Sequence, residues 1–433
     1  MADMTQTQRN RRTVLTAGFI GNVVEWYDFA LYGFFASVFS TIFFPAGDGT
    51  ANLIAVYGIF AAGFVMRPLG SVLFGWLGDT LGRSRTMMIS VALMAIPTFA
   101  LGCLPVYDQV GLAAPIMLVF LRLVQGLSVG GEFSTSVVYL VETAPVERRG
   151  LSGSAANMGA VAGTALGSLM AMAMLNLLPE QAMQAWGWRI PYFLGGAIGV
   201  AALWLRRQLP CSPAFQAQEA HRTRNAPIME TLTRTRAQTL QATLFAAGYG
   251  VFYYITMVYF PNWVADHGAV NLDASMRMNT AALAMMLPVV PLAGVLGDKL
   301  MPRKWLVAVV MLVTAALAWP ALVVARDGSL WTVGAIQFGL ALLLALLLGG
   351  APALFAQIFP ARNRNTGYSI SYALGMGIAG GATPMFATWL IKQTGMSLAP
   401  AALLAVAALI AAGAAAAMPE RDRIALQGSG AGA

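Results

Sequence analysis

Charge is scarce in this 433-residue chain: Asp, Glu, Lys and Arg make up 10% of it, against about 25% in an ordinary soluble domain. That excludes a water-soluble globular fold and places most residues in lipid. Cysteine and histidine are scarcer still, with Cys103, Cys211, His221 and His267 the whole set. The two cysteines are expected on opposite sides of a membrane, so neither a disulfide nor a Cys/His metal site follows. Both histidines fall in expected loops. No nucleophile–base pair stands near a membrane face, so an enzyme is not expected. Acidic residues are outnumbered 18 to 26, for a net charge of +8. A nucleic-acid partner would need those bases gathered on one face. They fall instead in short connections between apolar runs, the signature of membrane topology. The basic start, MADMTQTQRNRR, precedes a long apolar stretch with acids and no small-residue cleavage site. It reads as a retained first span rather than a signal peptide.

What is abundant is apolar: 58% of the residues are hydrophobic. A span needs about 20 mostly apolar residues. Twelve are expected, at 13–44, 53–77, 86–104, 114–143, 151–177, 188–206, 239–264, 277–297, 304–325, 330–358, 366–392 and 397–418. Arg9, Arg11 and Arg12 precede the first span, and the even-numbered connections hold pairs such as Arg83 with Arg85 and Arg148 with Arg149. The opposite connections hold Asp48, Asp108, Glu180 and Asp327. Both termini are therefore expected in the cytoplasm. Residues 208–238, rich in Gln, Thr and Arg, read as a cytoplasmic linker or as a helix lying on the membrane surface. The expected architecture is an all-α membrane protein of two pseudo-symmetric six-helix bundles, 1–207 and 239–433, joined by that linker.

The halves carry an internal echo. GWLGDTLGRSR (Gly75–Arg85) lies between spans 2 and 3, and GVLGDKLMPRK (Gly294–Lys304) between spans 8 and 9. TAPVERRG, ending at Gly150, is answered by IFPARNRNTG, ending at Gly367. Six-span repeats in the same orientation point to a transporter with its site between the halves.

The stretch GNVVEWYDFALYGFF (Gly21–Phe35) carries Glu25 and Asp28 three residues apart, on one helical face that Tyr32 continues. A carboxylate in hydrocarbon is costly unless it is paired, protonated or facing a polar cavity. Proton coupling, substrate contact and a buried structural ion pair all fit that pattern. Intramembrane charge is confined to the first half, at Glu25, Asp28, Arg67, Arg122 and Glu132. The second half offers Tyr249, Tyr253, Tyr254, Tyr259, Gln337, Tyr368, Ser371 and Tyr372 instead. An Arg fork suits a carboxylate bidentately, and Arg67 is the one placed nearer the middle. Arg67 and Arg122 could equally be ion-pair partners of Asp28 or Glu25. Gly159, Gly163 and Gly167, four apart, would let a neighbouring helix approach closely.

The Gly75–Arg85 segment resembles the loop signature of the major facilitator superfamily. GNVVEWYDFALYGF, FAAGFVMRPLG, RLVQGLSVGGEF and WGWRIPYFLG further resemble its metabolite:proton symporters, which include α-ketoglutarate, citrate/shikimate and proline/betaine transporters. The resemblance implies a proton-coupled symporter importing a small organic acid, a di- or tricarboxylate-like metabolite, by alternating access, working as a monomer in a bacterial inner membrane, without a cofactor. The proton is the implied coupling ion, with Na⁺ left open. It also implies that Asp79 and Arg83 latch the cytoplasmic side, with Asp298 in the second copy, where Pro302 replaces the Arg. From these, Asp28, Glu25 and Glu132 are expected to couple protons. Arg67, Arg122, Tyr32, Tyr249 and Tyr253 are expected to bind substrate. Uptake of a zwitterionic osmolyte is the alternative, since Tyr-rich span 7 could cage a quaternary ammonium. Drug/proton export is disfavoured, because span 5 lacks the Gly-Pro ending of the superfamily's antiporters.

Overall fold

Apolar stretches of this length can cross lipid only as helices, because every backbone group must be satisfied internally. The structure, a computed structural model, describes residues 19–20, 22–81, 83–130, 132–142, 144, 146–207, 235–359 and 364–418. Among these residues eight helices are long and apolar enough to span a bilayer. Three shorter apolar helices and the helix over 22–42 complete twelve crossings.

In chain order, α1 runs over 22–42, α2 over Gly49–Leu81, α3 over Arg83–Gly102, and α4 over Ala113–Val129 and Glu132–Glu142. The first half closes with α5 (Arg149–Leu177) and α6 (Arg189–Arg207). The second comprises α7 (Arg236–His267), α8 (Leu272–Lys299), α9 (Arg303–Arg326), α10 (Leu330–Gln357), α11 (Arg364–Tyr372 through Thr383–Thr394) and α12 (Ala399–Ala416). Twelve crossings return the chain to the face it started from, called here the terminal face.

Several ends depart from the hydropathy reading, each for a local reason. Asp48 accepts a hydrogen bond from the Ala51 amide (3.0 Å), so α2 starts four residues before the expected 53. Asn271 accepts from the Ala274 amide (2.9 Å) and starts α8 five residues early, through a polar first turn holding Asp273. His267 closes α7, stacked on Trp263, rather than lying in a loop. The expected linker over 208–238 lies outside the described residues up to 234, and its last residues, from Arg236, already belong to α7. Cys211 lies outside the described residues, while Cys103 is a free, exposed thiol.

Large apolar side chains such as Ile96, Phe120, Leu177 and Trp331 face outward, as a lipid-facing surface requires. The widest meeting between the two halves, among the described residues, is that of α5 with α8. Both α7 and α11 contain a π-helical stretch, Tyr254–Tyr259 and Ala373–Gly380, a wide turn that recurs at functional sites.

Candidate functional site between the two halves

The site is built around α1, and glycine sets how closely its neighbours approach. A Cβ placed on Gly163 of α5 would lie 2.4 Å from the Val23 carbonyl of α1. One on Gly126 of α4 would lie 1.9 Å from the Gly63 carbonyl of α2. No larger residue fits at either crossing. The close approach aims Arg67 of α2 and Arg122 of α4 at the acidic face of α1.

Asp28 and Arg122 are fully buried and paired, with Arg122 Nη1 donating to Asp28 Oδ2 at 2.5 Å. Gln125 Nε2 donates to Asp28 Oδ1 at 3.1 Å, and the Thr98 hydroxyl lies 3.0 Å from the same oxygen. Gln125 also accepts from Arg122 Nη1 at 2.8 Å. The guanidinium rests over the Tyr32 and Phe29 rings, 4.2 and 4.8 Å from their centroids. Tyr32 donates its hydroxyl to the Val56 carbonyl at 3.1 Å. Asp28 is thus held by three side chains, the contact that offsets its desolvation, while Arg122 Nε and Nη2 have no hydrogen-bond partner among the described residues.

The second pair is looser. Arg67 Nη2 reaches Glu25 Oε1 at 3.4 Å, and Arg67 Nε has no hydrogen-bond partner among the described residues. Its guanidinium sits 4.1 Å over Phe64. Arg67 also faces the second half: a Cβ on Gly377 of α11 would be 3.5 Å from its Cδ. Tyr253 of α7 crosses the seam too, its hydroxyl 2.5 Å from that of Thr164 on α5 and its ring 5.2 Å from Trp26. Tyr249, one turn away, stacks on Phe245 within the second half.

The halves also meet near both faces. At the terminal face, Asp298 of α8 accepts from the amides of Gly150 (2.9 Å) and Leu151 (3.1 Å) in the first turn of α5, and pairs with Arg303. A carboxylate there is held by the free N–H groups and dipole of a helix start. Nearby, Asn157 donates to the Leu348 carbonyl at 2.8 Å, and Ser369 to Ser134 at 2.9 Å. At the opposite face, Ser37 of α1 donates to Asn262 of α7 at 3.2 Å, and Asp48 pairs with Lys392 of α11. The side chains of Asp79, Arg83 and Glu132 lie outside the described residues.

The structure thus gathers Glu25, Arg67 and Tyr253 at the seam, and places Asp28, Arg122 and Tyr32 inside the first half. Sequence reasoning did not single out Gln125 or Thr98. Gln125 was legible as the residue one turn from Arg122; Thr98, in the apolar last turns of α3, gave no signal.

Residues 13–242 match the family model described as "Sugar (and other) transporter". The alpha-ketoglutarate permease of Escherichia coli is 34% identical over 392 residues, covering 90% of either chain. The proline/betaine transporter of Salmonella typhimurium is 31% identical over 409 residues, 92% of this chain and 81% of that one. Among solved structures, the D-xylose-proton symporter superposes with a TM-score of 0.71 at 18% identity, over 92% of this chain and 96% of that one.

Proposed function

This chain belongs to the sugar (and other) transporter family of the major facilitator superfamily, and we propose that it is a proton-coupled symporter importing a small organic acid. It is a multi-pass membrane transporter, not an enzyme. One observation carries the substrate reading: a buried arginine, Arg67, lies between the halves with a single long carboxylate contact. A buried anion needs a positive partner to replace its lost hydration, and a guanidinium fork matches a carboxylate.

Coupling then follows from competition for that fork. With Glu25 ionised, Arg67 is occupied. A proton on Glu25 removes the competing charge and leaves the fork to the substrate carboxylate, so proton and substrate enter together. Asp28, held by Arg122, Gln125 and Thr98, is the second coupling carboxylate, and Glu132 a third candidate on α4. Asp298, together with Asp79 and Arg83, forms the terminal-face latch that must open for release. This reading sets the terminal face in the cytoplasm of a bacterial cell, with the chain working as a monomer.

The experiment is uptake of labelled acids into proteoliposomes under an imposed proton gradient. Arg67→Ala is expected to lose binding, and Arg67→Lys to weaken it by roughly tenfold, since it keeps charge but not the fork. Glu25→Gln should still exchange substrate but no longer accumulate it. Accumulation that follows a Na⁺ gradient alone would replace the proton. Uptake of glycine betaine in place of acids would favour the osmolyte reading, which the proline/betaine relatives and the aromatic lining of the seam support.

A further inference from the structure

From Arg67 a run of aromatic contacts extends through both halves. Phe64 lies under the guanidinium (4.1 Å) and against Tyr254 of α7 (5.4 Å). Tyr254 meets Tyr253 (5.5 Å), which meets Trp26 of α1 (5.2 Å). Trp26 meets Phe133 of α4 (6.3 Å), and Phe133 stacks on Tyr372 of α11 (5.0 Å).

Three polar atoms along these aromatic contacts stand apart from the others there. Trp26 Nε1, the Tyr254 hydroxyl and the Tyr372 hydroxyl are buried, and none has a hydrogen-bond partner among the described residues. The Tyr372 hydroxyl lies beside Tyr249 without meeting hydrogen-bond geometry. Tyr253, by contrast, is satisfied by Thr164. Buried polar groups are almost always paired, so three unpaired ones along one run of aromatic contacts call for a functional explanation. An indole N–H can only donate, and a phenol donates readily. Together they form a second set of donors, uncharged, beside the charged fork of Arg67.

We propose that Trp26, Tyr254 and Tyr372 bind the second oxygen-bearing end of the substrate, so that the transported acid is a short molecule with a carboxylate on Arg67 and a second carboxylate or keto-acid group on these three donors. The inference rests on the organic-acid reading above and adds which residues set the substrate class. A methylated ammonium group fits poorly: it has no acceptor for the indole N–H, and Arg67 already supplies positive charge there. Because Trp26 lies in the first half and both tyrosines in the second, a two-ended acid also ties the halves together around itself.

The test uses the purified full chain and two probes of equal length, succinate and butyrate, in calorimetric titrations. The parent is expected to prefer succinate by about tenfold or more, the usual worth of hydrogen bonds to a charged group. Tyr254→Phe and Tyr372→Phe keep the rings and remove only the hydroxyls. The double variant should shrink the preference to within about threefold while leaving butyrate affinity unchanged. A preference that survives intact in the double variant, or its absence in the parent, overturns the proposal. Arg67→Ala separates the two readings. If it loses both acids while the tyrosine variants change nothing, only the second-site proposal fails. If it binds both acids as the parent does, the organic-acid reading itself fails.

Discussion

Behind α1, Asp28 and Arg122 are buried with Gln125 and Thr98; in the second half, Thr256, Asn279 and Gln337 meet between α7, α8 and α10 in a buried cluster that holds no charge. Gln337 Nε2 donates to Asn279 Oδ1 at 2.7 Å and to the Thr256 carbonyl at 3.1 Å, and Asn279 donates to the Met257 carbonyl at 3.1 Å. The halves share a six-helix plan, yet the first centres on an ion pair in mid-span, while the second centres there on amides and keeps its buried pair, Asp298 with Arg303, at the terminal face. A neutral network holds its shape whatever the proton occupancy of the site. An ionic one is sensitive to it. Under the proposed coupling, proton sensing falls to the first half and the second supplies a steady counter-surface.

The largest effect should come from breaking the ionic interior. Arg122→Met leaves Asp28 buried without its counter-charge and should cost about 3–5 kcal/mol of stability, read as thermal unfolding in detergent. Adding Asp28→Asn should recover much of that loss. If the double variant is no better than the single, the pair is not the fastening it is taken for. In the second half, Asn279→Leu should cost about 1–3 kcal/mol, and its loss should not vary between pH 5 and 8.

A smaller effect is expected at the terminal-face latch. Asp298→Ala removes the acceptor of the Gly150 and Leu151 amides, so that face should open more often. In a background with Cys103 and Cys211 replaced by Ser, a cysteine in place of Ser369 should then label several-fold faster. Equal labelling rates would show that Asp298 does not hold the halves together. The smallest effect belongs to the exposed Asp48–Lys392 pair. The Lys392 hydrogen bond, then the Ala51 amide, hold the Asp48 carboxyl below its ordinary range. Its contribution is therefore complete above about pH 4 and fades as acid protonates the folded form, so Asp48→Asn should narrow the stability gap between pH 7 and pH 3. A gap unchanged by the substitution would mean the bridge does not form in solution.

The fold was legible because its signals are long. Runs of about 20 apolar residues, the placement of Lys and Arg and the echo of Gly75–Arg85 in Gly294–Lys304 need no side-chain detail. Glu25, Asp28, Arg67 and Arg122 stood out for the same reason, as charges inside apolar runs. Their pairing did not. Nothing in the spacing says that Asp28 takes Arg122 while Glu25 takes Arg67, because that choice depends on how close α2 and α4 come to α1, which glycine packing decides. Asp298 was visible as part of a repeat, but its partners are main-chain amides of α5, which no residue type announces. Trp26, Tyr254 and Tyr372 sat among many other aromatics. Tyr57, Trp188 and Tyr192 also have unpaired donors; what sets these three apart is an unpaired donor combined with a place along the seam, a property of three-dimensional placement.

The charge-free middle of α7–α12 has an electrical consequence. Moving one elementary charge through a membrane potential is worth about 2.3 kcal/mol per 100 mV. The turns of α7–α12 between their ends carry no Asp, Glu, Lys or Arg, so tilting them moves no side-chain charge through the field. Whatever voltage dependence the transport cycle has must then enter through α1, α2 and α4 and through the cargo they hold. The second half can rock at any resting potential with the same ease.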